Sequence, residues 1–280
     1  MSQKNPELSK WVHEQKAAGH GAAALFSSMI SAGYLPEVAR QVLLDEIGEA
    51  PDLPSDAMPS GGGRVPGPIL ADHPRCIDAG DRQVEVLMHL KHPRVVLFGD
   101  LLSREECEAL IGEASCRMST SLTVDPDTGA AVQHEARSSE GMFFQRGETD
   151  LVARIEARIA RLLSWPVDHG EGLQILRYQA GGQYLPHYDY FDPSSPGTAG
   201  HVERGGQRVG TLVIYLAAPD AGGGTSFPQA GLEVMPQAGN AVFFSYDRPD
   251  PATATLHAGE PVVRGVKWIA TKWLRQSPYV

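Results

Sequence analysis

Cysteine is scarce in this chain, and the scarcity narrows the field at once. Cys76, Cys107 and Cys116 are the three present among 280 residues, and no two of them stand in C-x-x-C spacing. Three thiols cannot all pair within one chain, so the count speaks against a disulfide framework or a cysteine zinc cluster and for reduced thiols. Positive charge is also short: 24 Lys and Arg against 34 Asp and Glu leave a formal net charge of −10. Nucleic acid is therefore not an expected partner, because binding phosphates calls for a basic surface. No apolar run reaches the roughly 18 residues of a membrane-crossing helix. The opening Met1-Ser2-Gln3-Lys4-Asn5-Pro6-Glu7 lacks the apolar stretch of a signal peptide. A cytoplasmic protein with no membrane partner is expected. What is present is ordinary for a globular protein, 42% hydrophobic and 21% charged residues, and the length allows a sizeable core.

Proline and glycine concentrate between residues 51 and 68, where Pro51, Pro54, Pro59, Pro66 and Pro68 stand with Gly61-Gly62-Gly63. Neither helix nor strand uses such a composition easily, so 51–68 reads as a linker. It separates a helical N-terminal segment, residues 1–50, from a larger domain, residues 69–280. The first segment carries helical patterns at about 7–18, 21–32 and 36–48, with Gly33 as a stop and Pro36 suited to a first turn. In the larger domain Val84-Glu85-Val86-Leu87 and Val95-Val96-Leu97-Phe98 read as short strands. Ser103 with Glu106 three residues on is a capping-box signature for a helix to about Ser115. A second helix is expected from about Glu148 to Leu163, where Leu151, Val152, Ile155, Ile159, Leu162 and Leu163 share one face. From Leu173 the pattern becomes short strands divided by Gly and Pro turns, which predicts a β core over about 170–276, closed or sandwiched to limit exposed edges. The fold class that follows is mainly β with supporting helices.

The chemistry-bearing residues fall within that β core. In Tyr184-Leu185-Pro186-His187-Tyr188-Asp189-Tyr190 one residue separates His187 from Asp189, so in an extended strand both project from the same face. By itself H-x-D is a weak pattern in a chain with 10 His, equally readable as a surface or core pair. His257 can supply a third ligand, giving two imidazoles and one carboxylate on one side of a metal, the arrangement typical of non-haem Fe(II) oxygenases. Zinc fits less well, since its structural sites close four positions with Cys and His and its catalytic sites are more often marked by a helical H-E-x-x-H. In Val266-Lys267-Trp268-Ile269-Ala270-Thr271-Lys272-Trp273-Leu274, strand alternation puts Lys267 on an interior-looking face with Ile269, Thr271 and Trp273. A buried ammonium is costly without an anion, and its own strand offers no Asp or Glu. Lys267 either snorkels to the rim or meets a carboxylate, and the functional candidate is the distal carboxylate of 2-oxoglutarate.

With their neighbours these residues resemble a known family. The run from Tyr178 to Tyr190 is followed by Arg208 with Thr211-Leu212-Val213-Ile214-Tyr215-Leu216, and then by Gly222-Gly223-Gly224-Thr225-Ser226-Phe227-Pro228. Leu256-His257-Ala258-Gly259-Glu260-Pro261-Val262 and Lys267-Trp268 complete the set, in an order and spacing similar to the catalytic domain of prolyl 4-hydroxylases. The resemblance spans residues 84 to 276, and Lys rather than Arg after the distal His favours this branch over 2-oxoglutarate oxygenases at large. The compact, signal-free chain with few cysteines looks more like a bacterial relative, with a catalytic domain like that of the prolyl 4-hydroxylase α-subunit, than like the secretory collagen-modifying enzymes.

The resemblance implies a double-stranded β-helix, or jelly roll, with Fe(II) held by His187, Asp189 and His257. It implies 2-oxoglutarate as co-substrate, anchored by Lys267 with help from Tyr178 and Thr225, and L-ascorbate to rescue iron oxidised in uncoupled turnovers. Arg137, Tyr184, Arg208 and Trp273 are placed near the substrate. The implied activity is hydroxylation of a prolyl residue in a peptide or protein, with succinate and CO2 as co-products. Read from residues alone, Tyr178 is equally a core aromatic and Thr225 a turn residue after a triple glycine. Arg137 and Arg208 are equally structural cations. Two alternatives stay open: the same chemistry on free proline or another small molecule, and a non-catalytic β-barrel that binds a metal or small acid.

Overall fold

The computed structural model describes residues 6–17, 19–31, 36–49, 65–121, 123–124, 131–132 and 138–280. The chain divides into two compact units, Met1–Gly62 and Gly63–Val280. The smaller holds α1 (Pro6–Ala17), α2 (Ala22–Ser31) and α3 (Pro36–Ile47), close to the expected spans. Val12, Leu25, Met29, Ala39 and Leu43 form its own core. Ser9 Oγ donates to Glu46 Oε1 at 2.9 Å, tying α1 to α3. The expected stop at Gly33 lies outside the described residues, as does the linker from residue 51 to 64. Residues 65–68, expected as linker, pack instead with the larger unit. Val65 lies against that unit's core, Pro66 is buried, and Gly67 N donates to Leu163 O at 2.9 Å. Apolar Val and Pro side chains gain more from burial there than from solvation in a spacer.

The larger unit begins with β1 (Cys76–Asp78), β2 (Gln83–Leu90), β3 (Arg94–Gly99), α4 (Arg104–Ser115), β4 (Ser119–Thr120), β5 (Thr123–Val124), β6 (Ala131–Val132), β7 (Glu140–Phe144) and α5 (Asp150–Leu162). It continues through β8 (Leu173–Tyr178), β9 (Tyr184–His187), α6 (Ala199–Glu203), β10 (Arg208–Ala217), β11 (Ala221–Gly222), β12 (Thr225–Phe227) and β13 (Leu232–Val234). It ends with β14 (Ala241–Ser245), β15 (His257–Gly259), β16 (Val262–Arg264) and β17 (Lys267–Arg275). A nine-stranded sheet in the order β1-β2-β3-β14-β10-β17-β8-β7-β4 faces a four-stranded sheet in the order β13-β12-β15-β9. This is a double-stranded β-helix. No helix among the described residues is long and apolar enough to cross a membrane. All three cysteines are free, Cys107 buried and Cys76 and Cys116 exposed.

Alternation along the central strands decides what each face meets. On β10, Leu212 and Ile214 turn outward to a core shared with Leu110 of α4 and Ile155 and Ile159 of α5. Val213 and Tyr215 turn inward to a second core with Phe227 and Val234 of the small sheet. Both faces are covered, so β10 is apolar nearly throughout rather than alternating. The capping box at the start of α4 is present: Glu106 N donates to Ser103 Oγ at 3.2 Å and Ser103 N to Glu106 Oε2 at 2.9 Å. On α5 the apolar stripe is buried as expected, and Thr149 caps the helix by accepting from Val152 N at 3.2 Å.

The same helix also buries Glu156 and Arg158, which its pattern does not announce. Arg158 donates to Asp81 and Glu106, and the Glu156 carboxylate meets the Lys272 ammonium of β17, the two side chains being 1% and 2% exposed. Breaking one side of such a pair leaves an uncompensated buried charge. Lys272→Ala is expected to lower unfolding free energy by about 3–5 kcal/mol, and pairing Lys272→Met with Glu156→Leu to recover most of the loss. Denaturant melts of the single and double variants check this; equal losses in both would remove the pair's coupling.

Candidate active site

The two sheets bring His187, Asp189 and His257 together. One ligand atom from each can be chosen so that all lie within 4.8 Å of one another, and among the described residues this is the group of acidic, His and Cys side chains so arranged. His187 and His257 face each other as paired residues of β9 and β15. Each ring is held from behind, His187 Nδ1 lying 2.8 Å from Leu185 O and His257 Nδ1 3.0 Å from Thr255 O. A carbonyl oxygen only accepts, so Nδ1 carries the proton and Nε2 is the atom of each ring that can face a metal. Nε2 of His257 is 3.5 Å from Asp189 Oδ2, and Nε2 of His187 is 3.7 Å from Oδ1.

The route by which Asp189 gets there differs from the expected strand. β9 ends at His187, and the chain bends at Asp189 and Tyr190 rather than staying extended. The bend carries the carboxylate toward the large sheet, where Thr211 Oγ1 donates to Oδ2 at 2.7 Å and lies 3.0 Å from Tyr246 Oη. Burial alone pushes the Asp189 carboxyl up, but His257, His187, Arg208 and the Thr211 hydroxyl hold it below the usual carboxylate range. The cluster thus offers one carboxylate and two imidazole nitrogens, a donor set that fits Fe(II) with one face left open.

Lys267 lines the same pocket with Ile269, Thr271 and Trp273, the face that strand alternation predicts. It is 3% exposed, and its Nζ lies 5.7 and 5.8 Å from the ring centroids of Tyr178 and Tyr215. Among the described residues no carboxylate makes an ion pair with it. Burial pushes the ammonium down to about 8, opposed by the more distant Glu260, whose carboxylate is taken by Ser226 Oγ at 2.5 Å. Tyr178 stands opposite Lys267 in the β8/β17 register, and buried Thr225 accepts from Tyr215 Oη at 2.9 Å. A buried cation, two aromatic walls and hydroxyl groups make a receptor for a small carboxylate beside the metal-ligand cluster.

Tyr184 and Trp273 line both this pocket and an adjoining groove of about 810 Å³, and Arg208 lines the groove. Tyr184 stacks on His187 with ring centroids 3.6 Å apart. Arg208 is fully engaged: Nε and Nη2 donate to the two oxygens of Glu171 at 2.7 and 3.0 Å, and its guanidinium lies 3.9 Å from the centre of the Trp273 ring. Trp273 Nε1 is buried and meets no acceptor among the described residues. Arg137 lies outside the described residues. The sequence reading did not single out Thr211, Tyr215 or Tyr246 for roles in the site, nor Glu171 as the acid that holds Arg208. For Thr211 and Tyr215 a signal existed, their shared parity with Val213 on one strand. For Glu171 there was none, because its partner lies 37 residues away and only the fold joins them.

Comparison with known proteins agrees with this geometry. The sequence pattern of the 2OG-Fe(II) oxygenase superfamily matches residues 173–275, which contain the three candidate metal ligands and Lys267. The chain is 40% identical over 221 residues to probable prolyl 4-hydroxylase 3 of Arabidopsis thaliana, covering 71% of this chain and 75% of that protein. It is 40% identical over 215 residues to prolyl 4-hydroxylase 5 of the same plant, covering 69% and 72%. Among solved structures, the 2OG complex of viral collagen prolyl hydroxylase vCPH from Paramecium Bursaria Chlorella virus-1 is similar, with 31% identity, a TM-score of 0.49, and coverage of 65% of this chain and 95% of that one. With the site's geometry already pointing to Fe(II) and 2-oxoglutarate, the sequence identity to the two plant proteins and the superfamily match settle the family: the chain belongs to the prolyl 4-hydroxylases and is an Fe(II)- and 2-oxoglutarate-dependent dioxygenase.

Proposed function

We propose that the chain hydroxylates a prolyl residue within a peptide or protein. The observation that carries the co-substrate half of this reading is Lys267, a buried ammonium with no carboxylate partner among the described residues, in the pocket that also holds the His187, Asp189 and His257 cluster. His187, Asp189 and His257 would hold Fe(II), and Lys267, walled by Tyr178 and Tyr215 and close to Thr225, anchors the distal carboxylate of 2-oxoglutarate. Fe(II) held there would supply, with dioxygen, the oxidising chemistry for hydroxylation, 2-oxoglutarate being the co-substrate that takes one oxygen atom to become succinate and CO2 while the prolyl ring takes the other, and ascorbate the reductant that would keep the iron ferrous. The protein contributes position and exclusion of water. Thr211 fixes the Asp189 carboxylate, the backbone carbonyls of Leu185 and Thr255 fix the imidazoles, and the apolar wall of Leu176, Val213 and Ile269 keeps the pocket dry.

The substrate side favours a chain over a free amino acid. Free proline needs paired counter-charges for its ammonium and carboxylate, and Arg208 is already committed to Glu171. Trp273 presents a buried N–H that meets no acceptor among the described residues at the mouth of the groove, a costly state that a peptide carbonyl relieves. In an assay with Fe(II), 2-oxoglutarate and ascorbate, a proline-containing peptide is expected to gain one oxygen at least about tenfold faster than free proline at matched concentration. Clear preference for free proline in that mass-spectrometric comparison would overturn the peptide reading and leave the dioxygenase assignment standing.

A further inference from the structure

We infer that Tyr246 is a positioning residue for the metal site: its hydroxyl donates to Thr211, and through Thr211 it fixes which oxygen of Asp189 is offered to the metal. This rests on the reading of His187, Asp189 and His257 as the ligand set. Neighbouring strands of the large sheet build the relay. Thr211 of β10 pairs with Phe244 of β14, and Tyr246 follows Phe244 by two residues, so the three side chains share the inward face. Tyr246 N donates to Val209 O at 3.1 Å, which carries the β10/β14 pairing just past the end of β14 and keeps that parity.

Proton counting sets the direction of the relay. Thr211 is fully buried, and its hydroxyl has a single proton to give. A carboxylate only accepts, so that proton lies on the 2.7 Å contact with Asp189 Oδ2. Tyr246 Oη, 3.0 Å from Thr211 Oγ1, is left as the donor of the second bond. The bonds therefore run one way, from Tyr246 to Thr211 to Asp189. Tyr246 is 2% exposed in an aromatic cluster with Tyr190 and Phe244, ring centroids 5.9 and 6.3 Å away. A phenylalanine would suit such surroundings, where a hydroxyl is costly unless bonded, and the bond it makes is the one to Thr211. The consequence falls on the carboxylate. Oδ2 spends a lone pair on Thr211, so Oδ1, 3.7 Å from His187 Nε2, is the freer donor and Asp189 serves the metal through that oxygen. A bond received by the Thr211 hydroxyl polarises it and restrains its rotation, so losing the Tyr246 hydroxyl loosens Asp189 without touching any ligand.

The test measures metal affinity of the full chain, anaerobically with Fe(II) and separately with Co(II) as a spectroscopic probe, in Thr211→Val, Tyr246→Phe, the double variant and Asp189→Ala. Thr211→Val is expected to weaken metal binding by about ten- to a hundredfold, and Tyr246→Phe by about three- to tenfold. In the Thr211→Val background Tyr246→Phe should cost nothing more, because a valine side chain accepts no hydrogen bond. Both single variants should shift the visible absorption of the Co(II) form, which reports the metal's own ligands, and Thr211→Ser should restore the wild-type band and affinity. A merely structural Tyr246 would lower the melting temperature and leave the affinity and the band of the folded protein unchanged. That result, or an equal loss from Tyr246→Phe with and without the Thr211 hydroxyl, overturns the relay while the ligand set stands. If Asp189→Ala binds both metals as tightly as the wild type, the ligand set itself fails and takes this inference with it.

Discussion

His257→Ala is expected to eliminate turnover and to weaken Fe(II) binding by about a hundredfold or more, a loss larger than that from disturbing the groups behind a metal ligand. The side chain is 5% exposed and stands directly opposite His187 across the β9/β15 pair, so no other His of the described residues is placed to substitute for it. Two remaining ligands leave half of the open face unsupported, and the ionised Asp189 then loses both the metal and one imidazole from its surroundings. Anaerobic reconstitution followed by iron analysis, together with succinate release, measures both effects. Near-normal iron content and succinate production in the variant would show that the three residues are not the metal site.

Lys267→Ala should raise the concentration of 2-oxoglutarate needed for half-maximal turnover by an order of magnitude or more while leaving iron content largely intact. Losing one partner of a buried ion pair costs about 3–5 kcal/mol, and each 1.4 kcal/mol is about tenfold in affinity. Lys267→Arg is not expected to rescue, because the guanidinium fork is longer and planar where the pocket is shaped for a compact ammonium. The same residue gives the wild type a pH signature. Burial lowers the ammonium to about 8 in the free pocket, and it is the protonated form that binds the dianion. Affinity for 2-oxoglutarate is therefore steady below that value and falls by about tenfold per pH unit above it, until the pKa of the bound state is reached. Lys267→Ala should lack this dependence. An unchanged half-saturating concentration in the variant would end the anchor role.

Several features could be read directly because each depends on neighbours close in sequence. The capping box of Ser103 and Glu106 closes within one turn. The apolar stripe of α5 follows a period that only a helix satisfies, and the parity that sets Lys267 beside Ile269, Thr271 and Trp273 needs nothing beyond an extended strand. An extended strand from His187 to Asp189 predicts that both reach the site, and both do, but the strand ends at His187 and the chain bends at Asp189.

That bend marks where local reading stops. Asp189 leaves the small sheet because Thr211 of the large sheet donates to it, and no property of the Tyr184–Tyr190 segment reveals a partner 22 residues on. Glu171 belongs to the site only through Arg208, Glu156 is buried only because Lys272 reaches it, and Tyr246 meets Thr211 only because β14 lies beside β10. By itself the sequence determined which residue types could bind iron and a dicarboxylate, and which face of each strand they occupy, since side-chain periodicity is a property of the backbone. The tertiary structure alone decided which hydroxyl steadies the carboxylate, which acid restrains the arginine and which aromatic backs that hydroxyl, because those depend on strand register and sheet order, set by burial summed over two cores.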